Sequence, residues 1–338
     1  MIRVALLGYG LAGRVLHRPL LLAEPALTVT HVVTADSGRR AQVAADLPGA
    51  VLCAAAEELW ARPDEFDLVV VATGGTTHVP LARAALRLGK AVVVDKPLAM
   101  AADSAASLVA EGGILTVFQN RRWDSDTLTA HALLSGGELG LVHRLESRFT
   151  RFRPVVADRW REDPAAGGGV LLDLGSHVVD QAVQLLGPAV SVYAEVDVRR
   201  QGGAAEDDVF MALRHAGGAR SHLWCSMTAP WQGPRLVLQG SVAGWSKHGL
   251  DGKEDALRAD LPVGSLLAPE PDGLRWDAGG RRPAPSLPGD WPAFYRQVAL
   301  AVDGAGPVPV DPADAVHVLR VLETARRSAA TGAVLPLD

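Results

Sequence analysis

The chain has 338 residues, 48% apolar and 21% charged, with 33 Lys and Arg against 38 Asp and Glu for a formal charge of −5. That length suits about two domains with a core each, the apolar and charged fractions argue against disorder, and the faintly acidic balance argues against a nucleic-acid partner. Cys53 and Cys225 stand far apart, which excludes a disulfide scaffold and a C-x-x-C centre, and no apolar run approaches the ~18 residues of a bilayer span.

The opening MIRVALLG is too short for a signal h-region, so the expectation is a cytoplasmic protein with no membrane partner. Ile2–Leu7 reads as a buried strand, and Leu11–Ala23 as a helix after a glycine turn. Leu27–Thr34 is strand again, and Arg39–Ala45 is helical. Phe66–Ala72 is a near-continuous apolar run, as in a parallel strand covered on both faces. Thr77–Leu88 has helical spacing, Ala91–Val94 and Ile114–Phe118 are buried strands, and a helix around Ala101–Glu111 separates them. Strands alternating with helices predict an α/β domain with a doubly wound parallel sheet, placed at residues 1–121.

After Ser125–Leu134, which is helical, the period changes. Val142–Phe152, Ser191–Val198, Val209–Arg214, Arg220–Met227 and Arg235–Gln239 alternate with a period near two, predicting a largely antiparallel sheet in an α+β domain over residues 122–338. Pro262–Pro292 is rich in Pro and Gly and reads as an irregular loop. Pro312–Thr331 closes the chain as an amphipathic helix, with Asp311 as N-cap and Pro312 at its first position.

Gly8-Tyr9-Gly10-Leu11-Ala12-Gly13 sits directly between the first strand and the first helix. Gly8 permits the turn, Gly10 leaves room for a pyrophosphate, and Gly13 lets the helix lie on the sheet. The main-chain N–H groups from Leu11 and Ala12 onward offer donors to the phosphates. This predicts a dinucleotide, NADP or NAD. The second strand ends in Thr34-Ala35-Asp36-Ser37-Gly38-Arg39-Arg40. An acid at its tip would read a ribose 2′-hydroxyl, whereas a small residue with cations tolerates a 2′-phosphate. Ala35 in the acidic place, with Thr34, Ser37, Arg39 and Arg40 nearby, favours NADP. Arg39 and Arg40 read otherwise as solvated helix charges, and Asp36 as an acid one step late.

Lys96 follows the strand Ala91–Val94 in Asp95-Lys96-Pro97, at the carboxyl edge where ligands bind in such sheets. Asp173 and His177 lie four apart in GGGVLLDLGSH. A cation for a developing alkoxide, a histidine for its proton and a carboxylate to orient either one suit alcohol oxidation. With no H-E-x-x-H and no Cys/His cluster, no metal is expected.

The segments GYGLAG, GKAVVVDKP and GGGVLLDLGSHVVDQ resemble the Gfo/Idh/MocA family of oxidoreductases over essentially the whole chain. FQNRRWDSDTL, RFRPVVADRWRE and KHGLDGKEDALRA are most similar to its NADP-dependent scyllo-inositol dehydrogenase branch. The resemblance implies a Rossmann domain followed by an open sheet used in a homodimer or homotetramer, and a cyclic polyol or sugar as substrate. It implies catalysis by Lys96, His177 and Asp173, and cofactor contacts from Thr73, His78, Asp95, Lys96 and Asn120. Arg122, Trp123, Arg153 and Trp160 are the expected substrate contacts. The family's proline-containing turn is replaced here by Thr73-Gly74-Gly75-Thr76-Thr77-His78, and Asp95 stands where many relatives carry Glu. Two other functions fit a dinucleotide-binding chain. One is glycoside hydrolysis through transient oxidation, and the other is binding without turnover.

Overall fold

A computed structural model describes residues 1–337, apart from the side chains of Trp160 and Ala166. The chain divides into two compact units, the first formed by residues 1–123, 252–268 and 290–316, the second by 124–251, 269–289 and 317–338. The first unit is therefore more than the continuous segment 1–121, because two later stretches return to it.

The first unit holds six parallel strands: β1 (Ile2–Leu7), β2 (Leu27–Val33), β3 (Val51–Cys53), β4 (Leu68–Val71), β5 (Ala91–Asp95) and β6 (Leu115–Phe118). Their order is β3-β2-β1-β4-β5-β6, with the switch between β1 and β4. Val69, Val70, Val92 and Val93 are wholly buried, as in central parallel strands covered by helices on both faces. The first helical stretch starts as a π-helix, Leu11–His17, and continues as the α-helix Arg18–Ala23. Helix Pro292–Val302, unassigned from the sequence, adds Phe294 and Tyr295 to this core.

The second unit holds a nine-stranded sheet. Its strands are β7 (Val142–Thr150), β8 (Ala189–Asp197), β9 (Asp208–His215), β10 (Arg220–Ser226), β11 (Leu236–Gly240), β12 (Gly244–Lys247), β13 (Gly273–Asp277), β14 (Gly280–Ala284) and β15 (Leu335–Pro336). The order is β14-β13-β12-β11-β7-β10-β9-β8-β15, and all pairs are antiparallel except β7 with β10. Val209, Met211, Leu213, Leu223 and Cys225 point into the core with helix Gly175–Leu186, while Phe210, His222 and Trp224 occupy the alternate face. The stretch expected to be irregular carries the β13–β14 hairpin, a correction considered below. Helix Pro312–Thr331 forms as expected, and Asp311 Oδ1 accepts from the N–H of Ala313 at 2.9 Å.

Candidate active site

In the first unit the glycine loop is built by close approach. Gly8 has φ +93°, and a Cβ there would lie 2.6 Å from the carbonyl oxygen of Ala72. A Cβ on Gly13 would fall 2.0 Å from the carbonyl oxygen of Gly8, so the helix can start over the turn only without a side chain. Gly10 is open, with the Arg39 guanidinium 3.8–3.9 Å from the place of its missing Cβ. Leu11 is exposed and Ala12 partly so. Asp46 fixes the loop from behind: its Oδ2 accepts from Tyr9 Oη at 3.0 Å and from Arg14 Nε at 2.7 Å, and Arg18 lies 3.0 Å away. The hydrogen bond from Arg14 holds the Asp46 carboxyl below its ordinary range.

At the end of β2, Thr34 is buried and its N–H donates to Cys53 O at 3.0 Å, whereas Ala35, Asp36 and Arg39 are exposed. Asp36 Oδ1 accepts from the N–H of Arg39 at 2.8 Å, capping helix Ser37–Asp46. The acid one step late thus caps a helix N-terminus through Oδ1, and Arg39 reaches back over Gly10.

The loop after β4 holds its shape without proline. Thr77 Oγ1 donates to Gly74 O at 2.7 Å, Thr73 Oγ1 and Thr77 Oγ1 are 2.7 Å apart, and Gly75 packs so tightly on Met100 that a Cβ would come within 2.6 Å of its sulfur. His78 opens helix His78–Arg87 with a buried ring between Pro97 O, 2.8 Å from Nδ1, and Thr73 O, 3.1 Å from Nε2. Asp95 Oδ1 accepts from the N–H of Lys96 at 2.8 Å, and the Lys96–Pro97 peptide is cis.

A 3₁₀ turn, Asn120–Trp123, follows β6 with Asn120 buried in it. Arg122 pairs with Asp314 at 3.0 Å. Trp123 is 8% exposed and stands edge-on to Phe294 at 5.6 Å, so its indole packs into the first unit.

In the second unit Asp173 ends the short helix Val170–Asp173, and His177 lies in the first turn of helix Gly175–Leu186, with Leu174 as the joint. The His177 ring is buried beside Phe149, at 6.0 Å between centroids. Asp173 Oδ2 is 3.2 Å from Arg161 Nε, a partner the sequence reading missed. The glycines explain the pairing. Gly169 N–H donates to Arg161 O at 3.0 Å, and a Cβ on Gly168 would lie 2.5 Å from that same oxygen. Arg200 locks the segment further, to Glu162 at 2.6 Å and Asp207 at 2.8 Å. Burial works to raise the Glu162 carboxyl, but hydrogen bonds from Arg200 and Arg159 hold it below its ordinary value. Arg153 is exposed, and the Trp160 side chain lies outside the described residues.

Among the described residues no group of three or more His, Cys, Asp or Glu could hold a metal, and no helix is long and apolar enough to cross a membrane. The open Gly10, the N–H groups following it and the cation above it do fit a dinucleotide.

An oxidoreductase-family profile with an NAD-binding Rossmann fold matches residues 2–112, and the GFO/IDH/MocA C-terminal domain matches residues 127–245. The chain belongs to the Gfo/Idh/MocA family of oxidoreductases. Among Gfo/Idh/MocA relatives it is 37% identical to the uncharacterized oxidoreductase YdgJ of Escherichia coli (strain K12), over 99% of each chain. It is 32% identical to the scyllo-inositol 2-dehydrogenase (NADP(+)) IolW of Bacillus subtilis (strain 168), over 97% of this chain and 93% of that one. A crystal structure from Klebsiella pneumoniae, 35% identical, superposes with a TM-score of 0.90 over all of this chain and 95% of the other. The chain is therefore a Gfo/Idh/MocA oxidoreductase with an NAD(P)-binding Rossmann domain.

Proposed function

We propose that this oxidoreductase is an NADP-preferring dehydrogenase of a secondary alcohol on a cyclic polyol or sugar, inositol-like in shape. The observation that carries the reading is the presence of Lys96, Asp173 and His177 in a chain similar along its length to a relative named scyllo-inositol 2-dehydrogenase. The placement of Arg39 over Gly10, with Asp36 turned into a helix cap, supports a 2′-phosphate on the adenine ribose.

The cofactor, when bound, supplies the two-electron hydride exchange. His177 takes the hydroxyl proton at a ring nitrogen, and the Lys96 ammonium steadies the negative charge that gathers on the oxygen as its carbon gives up hydride. Asp173, paired with Arg161, keeps a carboxylate beside the histidine's turn to orient the ring or a neighbouring hydroxyl.

Absorbance of reduced cofactor, followed with NADP or NAD over inositol isomers and sugars, tests the reading. Turnover with scyllo-inositol and a preference for NADP is expected. Lys96→Ala should abolish turnover while dinucleotide still binds, and equal turnover in that variant would sink the assignment. Release of an aglycone without reduced cofactor would point instead to glycoside hydrolysis.

The half-exposed face of the nine-stranded sheet supports a homo-oligomer. Phe210 and Trp224 lie 5.2 Å apart on it, and the Arg148 guanidinium stacks 4.0 Å over Trp224. Aromatic residues with arginine are the composition of subunit interfaces.

A further inference from the structure

We propose that His78 is a positioning residue that donates from both ring nitrogens at once, bracing the turn that carries Lys96 against the loop after β4. Its ring is 1% exposed, with Nδ1 2.8 Å from Pro97 O and Nε2 3.1 Å from Thr73 O. Both partners are main-chain carbonyl oxygens, which accept and never donate. A neutral imidazole has one N–H and one lone pair, so it satisfies one carbonyl and turns a lone pair on the other. Such a mismatch inside a protein leaves two acceptors facing each other without a proton. Only a ring with two N–H groups satisfies both contacts.

The two carbonyls belong to neighbouring segments. β4 and β5 pair from Leu68 with Ala91 to Val71 with Val94, and Thr73 and Pro97 follow the carboxyl ends of these strands. Lys96 is thereby held from both sides. Asp95 Oδ1 takes its N–H at 2.8 Å, and His78 takes the carbonyl of the next residue. Thr73, at the other end of the ring, starts the loop whose own hydrogen bonds run through Thr77 and Gly74. One side chain thus sets the base of the lysine and the base of the cofactor-edge loop together.

Lys96 is a second cation on the turn this ring braces, and the other titratable side chains here add no further positive charge. His17 is kept neutral by burial, Tyr295 keeps its proton for the same reason, and Asp95 supplies the carboxylate at the strand end. The consequence for catalysis rests on the proposed role of Lys96, but the double donation does not.

Nitrogen-15 NMR of the full-length, histidine-labelled protein near neutral pH tests the donation, with the His78 signals assigned by their loss in His78→Gln. Protons on both ring nitrogens are expected, and a spectrum with one bare nitrogen would overturn the proposal. The second measurement is kinetic. Glutamine keeps polarity but cannot span both carbonyls, so His78→Gln should lower kcat by about 100-fold, the order expected for a misplaced catalytic group. The Kd for NADP, read from protein fluorescence, should change less than kcat. An unchanged kcat in a folded variant would remove the positioning role. If glutamine prevents folding, the His78 signals are assigned in the unaltered protein by their through-space contacts to Pro97 and Thr73, and the NMR result decides alone. Failure of the parent reading shows elsewhere, as full turnover by Lys96→Ala.

Discussion

Arg39 and Asp36 divide the work at the tip of β2, and the division has a measurable consequence. Asp36 gives its Oδ1 to the N–H of Arg39 as a helix cap, while the Arg39 guanidinium is exposed beside Gly10. A charged hydrogen bond is worth about 1.5–3 kcal/mol, or roughly 10- to 150-fold in binding. Arg39→Ala should therefore raise the KM for NADP by that order and leave the KM for NAD nearly unchanged, and an equal loss with both cofactors would remove the phosphate contact. His17 offers a second test at this scale. Burial pushes its imidazolium from an ordinary 6.5 down to about 4, with Nδ1 on Tyr295 Oη at 2.6 Å. The unfolded chain therefore takes up this proton first as pH falls. Stability is lost between about pH 6.5 and 4, on the order of 3 kcal/mol for this one group. Urea unfolding at pH 7.5 and 4.5 should show His17→Gln losing less stability across that interval than the unaltered chain does.

At the scale of elements, what repeats locally was legible and what is fixed by distant contact was not. The glycine loop tolerates no side chain where its helix crosses its own strand exit: a Cβ on Gly13 would meet Gly8 O at 2.0 Å. Gly13→Ala should abolish dinucleotide binding and cost about 2–4 kcal/mol of stability, measured by ligand titration and by thermal unfolding. Near-normal binding would mean that the turn is looser than its geometry. This loop, the apolar parallel strands and helix Pro312–Thr331 could be read directly, because each pattern is complete within a short segment. The β13–β14 hairpin could not. Its second strand reads Gly280-Arg281-Arg282-Pro283-Ala284, which lacks alternation, and it forms by pairing at the sheet edge. Helix Pro292–Val302 follows a Pro-rich stretch that hid its period. The packing of Trp123 edge-on to Phe294 is likewise a distant contact that no local pattern announces. Arg161 carried no signal at all, since its partner Asp173 is reached through the packing of Gly168 and Gly169. For the chemistry, the sequence named the residue types at Lys96, Asp173 and His177, while the supports of Lys96 and Asp173, namely His78, Asp95 and Arg161, needed coordinates.

For the whole molecule the formal charge of −5 is too small to keep copies apart, so association depends on what the exposed surface offers. The nine-stranded sheet presents Phe210, His222 and Trp224 on the face opposite its core, and their partial exposure leaves apolar area for a second copy to bury. The Arg148 guanidinium over Trp224 adds a cation that pairs with Glu146 at 2.9 Å, so the face is amphipathic, as interfaces between subunits are. A charge placed at its centre would have to be desolvated on assembly with only Arg148, already paired with Glu146, as a neighbouring cation, at a cost of a few kcal/mol per copy. Because a two-fold interface uses the same patch twice, that cost is felt twice. On the proposed homo-oligomer through this face, Phe210→Glu should therefore lower the assembled mass toward that of the monomer in light scattering at micromolar concentration. The substituted position lies on the sheet face away from helix Gly175–Leu186, so its far-UV circular dichroism should stay unchanged. A variant that remains assembled would place the interface elsewhere on the surface.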